Sequence, residues 1–257
     1  MRGKNGAAEL RREPLELSAL AAGRLRALVA RAAVPFNSGD SDHRAALARL
    51  WTAAFPRDLP SEGGPSERWK DMGWQGKDPA TDFRGGGVLG LDNLIGLHTH
   101  FPRTFAALLH KTRGSRAEIE YPFAVAGVNI SFQLMTMLGL RDPALVAALT
   151  EGADNGSGTG VDNGGAQPAE PGGAVVPAHA APEELHAFAE ALSVPGPHGA
   201  RALDSLYAFT FEALDSKWLL SQDVMEFNAT LAQAVAVTNA ALVARDDHSL
   251  RFTDIVS

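Results

Sequence analysis

Apolar residues recur at the three- and four-residue spacing of a helix in nearly every segment of this chain, and alternation of period two is hard to find anywhere. The pattern predicts an all-α protein. A first helix is expected over about Glu16 to Ala33, with Leu17, Leu20, Leu25, Leu28 and Val29 on one side. In SGDSDHRAALARLWTAAF, Ser41 or a neighbour can cap a second helix whose buried stripe is Leu47, Leu50, Trp51 and Phe55. A loop follows, reading WKDMGWQGKDPATDFRGGG from Trp69 to Gly87. VLGLDNLIGLHTH then continues as a helix until Pro102, which opens the next one, PRTFAALLHK.

The most apolar stretch, YPFAVAGVNISFQLMTMLGL, is too mixed and too short to cross a membrane and reads as the central core helix. Pro122 suits its first turn and Gly139 its stop. Asp142 and Pro143 start a short helix ending near Thr150. From 151 to 182 the composition turns to Gly, Ala, Pro and Asn, with no aromatic residue and no Leu or Ile. Such a segment buries too little surface to offset its chain entropy, so a disordered insertion is expected there. Order resumes at Glu183, and two long helices run through LDSLYAFTFEALDSKWLL and DVMEFNATLAQAVAVTNAAL. Amphipathic helices on both sides of the insertion argue for one interrupted domain, 14–150 and 183–247, between a disordered segment 1–13 and a tail 248–257.

Composition narrows the function classes. A chain of 257 residues with 45% apolar content supports a real core. The net charge of −7 argues against nucleic acid or an anionic bilayer as a partner, since both are bound through clustered Lys and Arg. Without cysteine there are neither disulfides nor thiolate metal sites. The opening MRGKNGAAELRREP lacks the apolar centre of a signal peptide, and the expectation is a cytoplasmic protein with no direct membrane insertion. No phosphate-binding loop, dinucleotide fingerprint, H-E-x-x-H pair or G-x-S-x-G elbow is present. His98 and His100, two residues apart, fall on different helix faces and do not suit a shared metal.

What remains is the loop. Arg84 lies between Phe83 and three glycines, with Asp78 and Asp82 upstream and the unsatisfied N–H groups of a helix start downstream. Two readings stand: a salt bridge that fixes the turn, with Asp82 the obvious partner, or a guanidinium presented to another molecule's phosphate or carboxylate. Gly85, Gly86 and Gly87 likewise read as turn-formers or as a bare backbone for a phosphate.

The long motif W-K-D-M-G-W-Q-G-K-D-P-A-T-D-F-R-G-G-G, then L-G-L-D-N-L and Y-P-F-A-V-A-G-V-N-I-S, resembles the ELMO domain of the engulfment-and-motility proteins and of the shorter ELMO-domain-only proteins. The resemblance extends to H-R-A-A-L-A-R-L-W, F-E-A-L-D-S-K-W and M-E-F-N. Trp74, where Phe is more usual, and the triple glycine look most like the short forms of green plants and algae. The resemblance implies an all-helical GTPase-activating protein for Arf and Arf-like small GTPases, with Arg84 in the position of the family's catalytic arginine. It also implies no cofactor of its own, because GTP and Mg²⁺ belong to the GTP-bound partner; with net negative charge and no lipid signal in the sequence, any membrane recruitment is expected through that partner.

The remaining motif residues, Trp69, Gly73, Trp74, Gln75, Asp78, Pro79, Asp82, Phe83, Gly85, Gly87 and Asn129, are expected to organise the loop or to touch the GTPase. Asp82 would orient the Arg84 guanidinium, and Gln75 would hydrogen-bond the loop or touch the partner. Trp69 and Trp74 would pin the loop to the core. Asn129, if buried, would need a hydrogen bond, expected from the loop. Trp218, Glu226, Phe227 and Asn228 read as packing. The alternative function is a non-catalytic interaction domain in which Arg84 is structural.

Overall fold

The computed structural model describes residues 13–59, 62–110, 121–154, 172–220 and 226–244. In chain order its helices are α1 (Ala19–Ala32), α2 (Ser41–Ala54), α3 (Gly87–His100), α4 (Pro102–Leu109), α5 (Phe123–Met137), α6 (Pro143–Asp154), α7 (Glu183–Ser193), the single turn α8 (Pro197–Ala200), α9 (Ala202–Trp218) and α10 (Phe227–Val243). The fold is all-α, as the periodicity predicts. α3 and α5 have apolar residues on nearly every side and therefore need partners all round. They pack on one another, α2 and α4 close over α3, and α9 crosses both; α10 lies along α9. Pro102 begins α4, and Gly139 follows α5 at φ +64°, both where the sequence places them.

The beginning of the chain differs from expectation. Leu15–Leu17 is a strand, β1, and α1 starts only after Ser18, whose Oγ accepts from the Ala21 N–H at 3.3 Å. The buried stripe of α1 is Ala21, Ala22, Leu25, Val29 and Ala32, while Leu20 is exposed. At α2 the expectation of Ser41 or a neighbour as cap is met by Asp40, whose Oδ1 accepts from the Asp42 and His43 N–H groups at 2.8 and 3.1 Å. Residues 202–218 are preceded by α7, a helix the two-helix reading of this region leaves out.

The end of the expected insertion is also ordered. Residues 155–171, like 1–12 and 245–257, lie outside the described residues, but 172–182 are built into the fold. Ala174–Val176 forms β2, antiparallel to β1 with Leu15 opposite Val176 and Leu17 opposite Ala174. Those four side chains are buried and the central Glu16 and Val175 face outward. Arg26 fastens the segment from below, with Nε donating to the Leu149 carbonyl at 2.7 Å and Nη2 to the Gly172 carbonyl at 3.1 Å. Composition misses this because one valine and three alanines, Val176, Ala174, Ala180 and Ala181, are all buried once β2 is paired. Val176→Ala is expected to lower stability by about 2 kcal/mol, measured by denaturant unfolding. An unchanged midpoint would mean that the β1–β2 pair contributes no packing.

Among the described residues no helix is long and apolar enough to cross a membrane.

Candidate functional site

Large aromatic side chains in a polar loop have one cheap destination, the core, and that is where they go. Trp69 is fully buried, edge-on to Trp51 at 4.8 Å between ring centroids and to Trp74 at 6.4 Å. Trp74 continues to Phe83 at 5.0 Å, and Phe83 stacks on Phe36 at 4.6 Å. A continuous run of rings thus ties the loop to α2, and each contact adds a directional preference to area burial. The Trp69 indole N–H is satisfied by the Gly64 carbonyl at 3.0 Å. Trp69 and Trp74 therefore pin the loop, as expected from sequence.

The backbone between these anchors is held by short polar links. A 3₁₀ turn over Glu67–Met72 ends at Gly73, at φ +88°. A Cβ there would sit 2.5 Å from the Phe123 nitrogen, so this left-handed position requires glycine where the loop meets the start of α5. The Ser66 N–H donates to the Lys77 carbonyl at 2.7 Å and closes the loop's two arms. Asp78 caps a second 3₁₀ turn, Pro79–Asp82, with Oδ1 accepting from the Ala80 N–H at 3.0 Å, and Pro79 is buried in its first position.

Asp82 has a different role from the one expected. Its Oδ2 accepts the Gln75 backbone N–H at 3.0 Å and its Oδ1 receives the Thr81 hydroxyl at 3.4 Å. It holds the turn and does not hold Arg84. Gln75 joins the loop through its backbone; its side chain is exposed.

Phe83 points inward, so Arg84, the next residue, points outward. It is exposed, and among the described residues its guanidinium has neither an ion-pair partner nor a hydrogen-bond acceptor. Several other arginines are engaged, although Arg49, Arg57 and Arg103 are exposed like Arg84. Arg31 forks onto Asp92 at 2.7 and 2.9 Å, Arg68 pairs with Asp58 and Asp71, and Arg141 donates to the Ala32 carbonyl at 3.0 Å.

The three glycines face the protein. Gly87 sits at φ +56°, and a Cβ there would come within 2.6 Å of the Val34 carbonyl oxygen. A Cβ on Gly86 would meet Val128 at 2.8 Å. The start of α3 is already closed: the Gly87 N–H donates to the Phe83 carbonyl at 2.7 Å and the Val88 N–H to the Val34 carbonyl at 3.0 Å. Turn formation and packing account for these residues, and the first N–H groups of the helix are not left for a phosphate.

Asn129 is half-buried with no side-chain hydrogen bond among the described residues, so the expected tie to the loop is absent. The buried amide of this core is Asn93, whose Nδ2 donates to Ser131 Oγ at 2.9 Å. Its position was readable: Asn93 lies four residues from both Leu89 and Leu97, on the face that packs. Asn129 lies four and seven residues from Gln133 and Thr136, on the polar one. Near the C-terminus, Trp218 and Phe227 pack with Tyr121, whereas Glu226 and Asn228 are exposed. Met225 of the M-E-F-N stretch lies outside the described residues.

At the far end of α3, His100 Nδ1 meets Asp204 Oδ2 of α9 at 2.8 Å. Burial raises the Asp204 carboxyl above its ordinary 3.8, against the opposing pull of His100 and Arg201 and with Asp92 adding to the rise. A raised value means that the fold favours the protonated acid. That contribution is fully present below 3.8 and is lost as pH rises through the folded-state value. In unfolding titrations Asp204→Asn is therefore expected to gain on wild type as pH rises from about 4 into the mildly acidic range. A difference independent of pH would contradict this assignment.

These features define an all-helical domain whose ring-anchored loop presents an exposed arginine with no partner among the described residues. The sequence matches the model of the ELMO/CED-12 family over residues 26–231, and the chain belongs to that family. It is 39% identical over 105 residues to ELMO domain-containing protein B of Dictyostelium discoideum, covering 41% of this chain and 36% of that one. Over 107 residues it is 33% identical to ELMO domain-containing protein 2 of Mus musculus, covering 40% of this chain and 34% of the mouse protein. ELMO domain-containing protein A of Dictyostelium discoideum is 40% identical over 111 residues, 43% of this chain and 11% of its own length. The matched region thus spans about a third or less of these relatives. No solved structure matches.

Proposed function

We propose that this domain is a GTPase-activating protein for Arf or Arf-like small GTPases, and that Arg84 is its arginine finger. The observation that carries the reading is the state of Arg84: exposed and unpaired on a loop whose every neighbouring anchor is buried or hydrogen-bonded. A structural arginine in this molecule looks like Arg31 or Arg141, with acceptors in place. Arg84 does not.

The physical role is simple. A small GTPase holds GTP, Mg²⁺ and the residue that positions water, so the activator need contribute only positive charge where the transition state gathers negative charge. A guanidinium suits that role, and Arg84 reaches outward from a loop that the ring contacts keep from rearranging. The protein itself supplies no metal or nucleotide; the partner brings both. Gly85, Gly86 and Gly87 serve by fixing the direction of Arg84, and Asp82 by holding the turn before it.

The test is single-turnover GTP hydrolysis on a panel of Arf and Arf-like GTPases, with wild-type protein and Arg84→Lys side by side. Acceleration by wild type and its loss in the lysine variant are expected, since an ammonium lacks the planar fork. Binding without acceleration would favour the interaction-domain alternative.

A further inference from the structure

α5 turns its apolar residues inward along most of its length, with Phe123, Val128, Ile130, Leu134 and Met135 all buried. Phe132 breaks the pattern. It is 41% exposed and the one aromatic among the described exposed large apolar residues. Its ring stands 3.4 Å from where a Cβ on Gly85 would lie, directly against the backbone that follows Arg84. Asn129, half-buried with its amide free of protein partners among the described residues, lies one turn before it on the same side of the helix.

Resting on the function proposed above, we propose that Phe132 and Asn129 form, beside Arg84, the face on which a GTP-bound small GTPase docks, with Phe132 its apolar anchor. A guanidinium acts strongly on a phosphate only where water is excluded. The loop cannot exclude water by itself: Trp69, Trp74 and Phe83 are turned into the core, leaving Lys70, Asp71, Gln75, Lys77, Thr81 and Arg84 outside. Phe132 is the apolar surface adjoining the arginine. The charge pattern also selects the occupant: an exposed arginine with no acceptor among the described residues, set beside an apolar ring on a chain of net charge −7, suits a partner that presents phosphate at the centre of the contact. An aromatic beside an arginine is the composition of an interface centre, and the other exposed large apolar residues, among them the adjacent Leu219 and Leu220, are all aliphatic.

The experiment titrates the full chain against a responsive GTP-loaded GTPase under single-turnover conditions and reads the maximal rate and the half-saturating concentration separately. Phe132→Ala should raise the half-saturating concentration about tenfold and leave the maximal rate in place. Asn129→Ala should raise it less, Arg84→Ala should lower the maximal rate, and Val175→Ala, exposed on β2, should do nothing. Phe132→Tyr, which keeps the ring, should stay near wild type, separating docking from any loss of fold in the alanine variant. An unchanged half-saturating concentration in Phe132→Ala, with wild type active, would overturn the docking face and leave the proposed function standing. Self-association of wild type that Phe132→Ala removes, without any change in the titration, would assign the face to a second copy instead. Neither binding nor acceleration by wild type across the panel would remove both proposals.

Discussion

Arg84→Ala should abolish the acceleration of GTP hydrolysis, a loss of about 10³-fold or more, equivalent to roughly 4 kcal/mol of barrier. The same substitution should leave the melting temperature within the range of ordinary surface changes, because no partner within the described fold is removed. The two readouts have to be taken together. A large drop in stability would make Arg84 a loop-organising residue after all. An unaltered rate would place the positive charge of the transition state elsewhere. Either result is clear because the loop's own supports, Asp78, Asp82 and the ring contacts, do not run through the guanidinium.

Trp69→Ala should have the largest effect on stability of any single change in the loop. The side chain has no exposed surface, contacts Trp51 and Trp74 edge-on, and satisfies its indole N–H on Gly64. Removing it leaves a cavity that rigid neighbours cannot fill, and about 3–5 kcal/mol is expected from denaturant unfolding. Activation should fall as well, but through a loosened loop: half-saturation and maximal rate should both suffer, and cooling should restore part of the activity. A loss below about 1 kcal/mol would show that the ring run does not hold the loop to α2.

Helical periodicity was sufficient for the all-α class because α2, α3, α5, α9 and α10 bury long stripes whose spacing survives in the sequence. It failed at β1 and β2, where three residues a side are too few for alternation to register. The strands exist because their alternate side chains reach the core across a pairing between residues far apart in sequence. Composition failed at 172–182 for a related reason: Arg26 and the β1 backbone lie far upstream, and no local window contains them.

At the site, the inward course of Trp69 and Trp74 followed from their size and polar surroundings, while that of Phe83 is seen only in the structure. The partner of Asp82 did not follow, because a carboxylate two residues from an arginine and seven from a backbone N–H can satisfy either, and turn geometry decided for Gln75. Phe132 was legible only in part: it falls three residues from Asn129 and four from Thr136, on the polar side of the helix, but an aromatic ring in so apolar a stretch reads as core.

The central claim is that Arg84 contributes in the transition state and not merely in binding. Its most direct measurement is the affinity of wild type and Arg84→Ala for a responsive GTPase loaded either with a non-hydrolysable GTP analogue or with GDP and aluminium fluoride, a mimic of the transferring phosphoryl group. The account predicts that wild type prefers the transition-state mimic by at least about 10²-fold and that Arg84→Ala loses this preference while still binding the GTP-analogue form. Equal affinity of wild type for the two forms, or the same preference retained in Arg84→Ala, would contradict it.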